Sequence, residues 1–314
     1  MAERFNKARV EALISLLSPQ RLTRIVDVGA SPLTPTPYGA LKEIGGCEVW
    51  GFEPNPDQFR RLVKAAGPRE HYLPYALGDG RPAQLHVTRN PGFTSLLRPN
   101  PATAQALGRF VRATEVTASD AIDTRRLDDI DELPAFDLLK IDIQGGELAV
   151  FENGPRLMSS ALAVITEVAA APIYRDQPLL DDQMRALREL GFDLHKFLFF
   201  KTLRVNSPRT ARFKNRAFHA NQLIDGDAVF VRGVFDLSGH SDEALKHIAI
   251  LADAVFESFD LAAVALGELA DRGRISQAGF DAYVDRVPGT RPAGDAPGVP
   301  GVHEVPAETA ETAV

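Results

Sequence analysis

One cysteine, Cys47, stands in 314 residues, so an internal disulfide framework and any multi-cysteine metal site are excluded. The histidines form no H-E-x-x-H or comparable spacing with carboxylates, and no metal centre is expected. No run approaches the roughly 18 consecutive apolar residues that a membrane span requires. The opening residues lead into a short amphipathic stretch without the apolar centre of a secretion signal. A soluble, cytoplasmic chain is expected. Basic residues are outnumbered, giving a formal net charge of -7, which argues against a general grip on phosphate backbones and so against a nucleic-acid partner. The glycine fingerprint G-x-G-x-x-G is also missing, because prolines at 32, 35 and 37 occupy the place where it would continue past Gly29. That absence opposes a standard nicotinamide site.

What is present is a rhythm of short apolar runs separated by helical patterns. The runs are Arg24–Gly29, Cys47–Phe52, Tyr72–Leu77, Asp137–Asp142, Leu162–Val168, Phe192–Phe199 and Asp227–Arg232. Between them, sets such as Phe59, Leu62, Val63 and Ala66, or Met184, Leu187 and Leu190 before Gly191, fall three and four apart. Strands buried on both faces read as nearly continuous apolar runs, and crossover helices between them give parallel pairing. The expected fold is α/β, with one doubly wound sheet. A lead-in helix is expected within residues 1–19, ended by Ser18-Pro19.

Beyond residue 235 the pattern changes. Leu245, Ile248, Leu251, Val255, Phe259, Ala262, Leu266 and Leu269 form one helical stripe, with a start at Ser241-Asp242-Glu243 and a stop at Gly273. With a shorter helix around Ser276–Val287, this predicts a helical appendage over 241–287 that either packs on the core or joins two subunits as a homodimer. Residues 288–314 carry no aromatic side chain and are expected to be a disordered tail.

Four strand ends carry the chemistry. Asp27-Val28-Gly29 ends the first run, and a residue without a side chain there either lets a nucleotide-type ligand approach the backbone or simply makes a turn. Glu53, before Pro54 and Asn55, ends the second; its carboxylate either accepts hydrogen bonds from both ribose hydroxyls or serves as an N-terminal helix charge, and the Gly29 segment favours ribose. The third ends in Ala76-Leu77-Gly78-Asp79, where backbone or carboxylate can meet an adenine edge. In the fourth, Lys140 and Asp142 interrupt an apolar strand, and a buried charge is costly unless paired or used. Gln144, Gly145, Gly146 and Glu147 then open a helix, where Glu147 is favourable for structural reasons alone.

The ordered set VDVGAS, GFEPNP, ALGD, TSLL and LLKIDIQGGELAVF resembles the FkbM family of S-adenosylmethionine-dependent methyltransferases over roughly residues 20–235. The resemblance implies a seven-stranded, mostly parallel, Rossmann-like sheet with the seventh strand inserted antiparallel. It implies S-adenosylmethionine as methyl donor and, usually, O-methylation of a sugar, glycolipid or natural-product intermediate. A methyltransferase domain over 1–235 and a small-molecule or carbohydrate acceptor follow from it. Matched position by position, Asp27, Gly29 and Ala30 cradle the methionine end, Glu53 with Pro54 and Asn55 holds the ribose, Ala76, Leu77 and Asp79 lie near adenine, and Asp142 borders the sulfonium. The stretch from Ser31 to Pro37 departs from the family, which continues with a second glycine and a helix.

Methyl transfer requires an acceptor oxygen held in line and its proton removed. Asp142 and Glu167 are the catalytic candidates, with Asp142 preferred; Ser95, Gln144 and Tyr174 are the substrate candidates, with Gln177 beside them. His195 is left outside the site. Lys201, Arg204, Arg209, Arg212, Lys214 and Arg216 make an acid-free basic stretch that either contacts an anion or is a solvated insertion. Two other readings share the architecture: a nicotinamide-dependent sugar oxidoreductase and a non-catalytic binding protein.

Overall fold

The computed structural model describes residues 5–31, 35–215 and 217–290. Most of the expected tail, and Arg216 of the basic stretch, lie outside the described residues. The chain runs α1 (Lys7–Leu17), β1 (Thr23–Val28), α2 (Gly39–Glu43), β2 (Cys47–Phe52), α3 (Pro56–Ala65), β3 (Glu70–Leu73), β4 (Ala76–Leu77), β5 (Pro82–Thr88), α4 (Pro101–Leu107) and β6 (Val116–Arg125). There follow β7 (Leu138–Ile141), α5 (Glu147–Glu152), α6 (Pro155–Met158), β8 (Ala163–Ala169), α7 (Leu180–Glu189), β9 (Phe192–Leu203), β10 (Gln222–Arg232), α8 (Asp242–Ala254), α9 (Phe259–Asp271) and α10 (Gln277–Val284).

Seven strands form one sheet in the order β3-β2-β1-β7-β8-β10-β9, and every neighbouring pair is parallel except those made by β10. The expected seven-stranded architecture is therefore the observed one. The third run differs in detail. Pro74, which has no N–H to give a ladder, ends β3 at Leu73, and Ala76–Leu77 pairs instead with β6 in a second sheet of order β4-β6-β5. Nothing in the sequence reading anticipated β5 and β6, because β6 is exposed along most of its length and lacks an apolar run.

The sheet is covered on both faces. One face packs Ile25, Leu138, Ile165 and Val229 against α1, α8 and α9 through Leu13, Ile248, Leu251 and Leu266. The other packs Val26, Leu139, Val164 and Phe230 against Phe151, Met158 and Leu187 from α5, α6 and α7. The single expected C-terminal stripe is two helices: α8 ends at Ala254, Glu257 adopts φ 53°, and α9 restarts at Phe259. His195 spans this break, its Nε2 lying 2.9 Å from Ser258 Oγ. Ser241 caps α8 as expected, accepting from Ala244 N–H, and α8 is buried through most of its length on the sheet.

A buried ion pair fixes how these helices meet. Arg9 of α1 donates to Asp253 of α8 at 2.8 and 3.1 Å, Tyr283 of α10 donates to the same carboxylate at 2.9 Å, and the Arg9 guanidinium lies 4.6 Å from the Phe259 ring centroid. Asp253→Ala removes the carboxylate that faces the buried Arg9 charge, and should cost roughly 3 to 5 kcal/mol in urea unfolding followed by circular dichroism. A cost below about 1 kcal/mol, the size of an exposed pair, would show that the cluster is not what joins the helices.

Candidate functional site at the strand ends

The carboxyl ends of β1, β2, β7 and β8 share one edge of the sheet, the edge at which open α/β sheets place ligands. Gly29 and Glu53 are the residues that follow the paired ends Val28 and Phe52. The two loops are locked together there, since the amides of Gly29 and Ala30 both donate to Phe52 O, at 3.1 and 3.0 Å. Gly29 sits at φ 82°, and a Cβ on it would come 2.1 Å from the carbonyl oxygen of Asp142. The demand for glycine therefore comes from the β7 backbone as well as from any ligand.

Glu53 is partly buried; burial pushes its carboxyl up to about 7, against the Asn55 N–H that donates to Oε1 at 2.7 Å. Only that one oxygen is hydrogen-bonded among the described residues. The Asn55 side chain is spent on capping α3, accepting from Asp57 and Gln58 N–H. Pro54 lies between these two residues, leading into α3.

Asp27 is not open to a ligand in the way its position suggested. Its buried carboxylate accepts from Tyr38 OH at 2.6 Å and meets Lys140 Nζ at 3.1 Å. Burial lowers the Lys140 pKa, but Asp27, then Asp142 and Asp227, outweigh it and hold the ammonium above its ordinary value. Ala76 and Leu77 are buried on β4 of the second sheet, and exposed Asp79 accepts from Arg81 N–H in its own turn.

The remaining candidates converge on Gln144. Its Nε2 donates to Asp142 Oδ1 at 2.9 Å and to Glu167 Oε2 at 2.8 Å, while its Oε1 accepts from Tyr174 OH at 2.8 Å. Ser95 Oγ donates to Gln144 O at 2.7 Å. The side-chain amide thus bridges both carboxylates, and Ser95 and Tyr174 spend their hydroxyls holding it. Gln144 pays for this position with φ 60°, unusual for a residue with a side chain. The turn is held from beneath by buried Glu147, which accepts from Ile143 and Gly145 N–H at 3.0 and 3.1 Å and is itself pushed up to about 7 by burial. Gln177 accepts from Tyr174 N–H.

Glu167 lies beside Asp227, its partner across β8 and β10. Burial first, then the charges of Asp142, Glu147, Asp225 and Asp227, raise Glu167 well above the carboxylate range, and burial with Asp142 raises Asp227 to about 6. Asp225 is paired with Lys201 at 2.6 Å. Asp225 and Asp227 were missed in the sequence; two acids at alternate positions of an apolar strand were the available signal. Tyr38 was missed because nothing local marks it. In the basic stretch, Arg204 is turned inward and donates to Thr210 O and Phe213 O. Among the described residues no group of three or more His, Cys, Asp or Glu could hold a metal, and no helix is long and apolar enough to cross a membrane.

The order β3-β2-β1-β7-β8-β10-β9, with β10 alone antiparallel to its neighbours, defines a Rossmann-like methyltransferase fold. Residues 27–194, more than half of the chain, match the Methyltransferase FkbM domain, and the chain belongs to that family. S-adenosylmethionine is the cofactor that membership brings, and the half-bonded Glu53 carboxylate beside Gly29 fits a ligand bearing hydroxyls. Among solved structures, the chain is similar to magnesium protoporphyrin IX methyltransferase of Synechocystis with bound SAM: 13% identity, 72% of this chain, 79% of that chain, TM-score 0.34. It is similar also to the N-terminal domain of EvdMO1 with SAH and D-fucose, at 10% identity, 74% and 84% coverage and TM-score 0.35. A third is the N-methyltransferase NodS of Bradyrhizobium japonicum, at 9% identity, 72% and 93% coverage and TM-score 0.33. At that similarity the family match, and not these structures, identifies the chain. No curated protein matches it significantly.

Gly29→Ala should destabilise the fold by about 3 kcal/mol or more, from the positive φ and the contact with Asp142 O together. Thermal unfolding reads this, and an unchanged melting temperature would contradict the close approach of β1 to β7.

Proposed function

We propose that the chain transfers a methyl group from S-adenosylmethionine to a hydroxyl oxygen of a sugar, glycolipid or natural-product intermediate. The observation that carries this reading is the Gln144 bridge, which holds the Asp142 and Glu167 carboxyls together at one strand edge. When bound, the cofactor supplies a methyl group already activated on a positive sulfur. Glu53 accepts the ribose hydroxyls. Gly29 and Ala30, with Asp27 braced behind them, Pro54 and Asn55, and Ala76, Leu77 and Asp79 complete the seat. Asp142, bonded to the Gln144 amide, takes the acceptor's proton, the general-base role that catalysed methyl transfer to a hydroxyl requires. Glu167, raised well above its ordinary range, stays protonated and orients the acceptor oxygen by donating to it. Ser95 and Tyr174 act through Gln144 as positioning residues, not as direct contacts of the acceptor.

Two measurements check this. The ionised Glu53 accepts ribose hydroxyls better than the protonated acid, so binding lowers its pKa from about 7 and releases a proton. Affinity for S-adenosylhomocysteine should therefore rise about tenfold between about pH 6 and about pH 8 in calorimetry. Glu53→Gln should bind more weakly with little pH dependence; a pH-independent wild type would remove Glu53 from the seat. For the chemistry, methyl-tritiated cofactor is offered with a panel of sugars, sugar nucleotides and glycolipids. Asp142→Asn should lower kcat roughly 100-fold or more, whereas Glu167→Gln, which keeps a neutral donor, should stay within about fivefold of wild type. The reverse ranking, or label recovered on nitrogen or carbon, would overturn the assignment.

A further inference from the structure

A cavity of about 360 Å³ has a lining that includes none of the residues assigned above to the cofactor or to the acceptor. Its position is set by two backbone pairings: His86 with Ser95, and Pro99 with Tyr174. Apolar side chains including Ala104, Val111 and Val116 line part of it, and Arg98 and Arg175 stand in the same lining.

The two arginines are anchored to one another, because Arg175 N–H donates to Arg98 O at 2.7 Å. Both side chains are exposed, and neither guanidinium has a hydrogen bond or ion pair with a described residue. Glu115, the one acid in the lining, is already held by Arg89, with nitrogens at 3.0 and 2.9 Å from its Oε2. The backbone bond thus holds two arginines in one cavity lining, and neither guanidinium has a counter-charge among the described residues. Guanidinium groups match phosphate oxygens with paired N–H donors. Buried His86 adds a polar wall: Nδ1 lies 3.0 Å from Ser119 Oγ, and the other ring nitrogen has no hydrogen bond with a described residue. Burial, then Arg98, lowers the His86 pKa, so this ring contributes a neutral donor or acceptor and not a third cation.

We propose that this cavity binds a phosphate monoester with a compact apolar body, the dianion seated between Arg98 and Arg175 and the body against Ala104, Val111 and Val116. The site is separate from the strand-end seat of the cofactor and does not depend on which acceptor is methylated.

Calorimetric titration of the full chain with phenyl phosphate, benzoate and phenol tests it. Phenyl phosphate should bind, benzoate more weakly, and phenol about tenfold more weakly still or not at all. Arg98→Ala and Arg175→Ala should each weaken phenyl phosphate about tenfold, the double variant should abolish binding, and Arg98→Lys should restore part of it. S-adenosylhomocysteine binding by the same variants should be unchanged, which separates failure of this site from failure of the cofactor seat or of folding. Absence of phenyl phosphate binding, equal binding by the double variant, or phenol binding as tightly as the phosphate would overturn the proposal.

Discussion

The buried contact of Lys140 with Asp27, 3.1 Å apart, lies among the carboxylates that crowd the ends of β1, β7 and β10. Lys140 interrupts an apolar strand, and the charges of Asp142 and Asp227 act on it as well as that of Asp27. A charge in that setting persists only with partners, and Asp27 meets that need directly. Burial and mutual repulsion raise the proton affinity of two further acids on this edge. Glu167 holds its proton well above the usual range, and Asp227 gives its own up only near 6. Burial first, then the neighbouring acids, raises Glu167 and Asp227, while Lys140 and Lys201 draw Asp227 back.

Position along this edge is controlled equally tightly. Gln144 satisfies both amide hydrogens and its oxygen with three partners from three segments, and Glu147 gathers the amides of the turn beneath it. A polar cluster satisfied in this way holds its members in one arrangement, which is what a site must supply when the reacting group is already activated. The strain of a left-handed Gln144 is tolerable because the surrounding contacts leave it little alternative.

The sheet was legible in the sequence because its inner strands are largely buried on both faces and read as apolar runs; all seven runs belong to it, with the third shortened by Pro74. The second sheet was not, since β5 and β6 face water and carry the composition of loops. The C-terminal stripe was seen correctly as apolar periodicity, but periodicity does not register a single left-handed residue such as Glu257. At the site, Asp142, Gln144 and Glu167 were recognisable as polar residues out of place. Their linkage through one amide, and the diversion of Asp27 to Lys140 and Tyr38, depend on contacts between distant segments that no local pattern encodes.

The clasp of Arg9, Asp253 and Tyr283 also bears on how the protein is made. Helices from both extremes of the described chain meet over one sheet face, so the clasp itself closes only when residue 283 has been made. The nascent sheet, complete in its strands by Arg232, has only α1 on the face of Ile25, Leu138 and Val229 until its C-terminal helices are made, an interval in which exposed apolar surface invites aggregation.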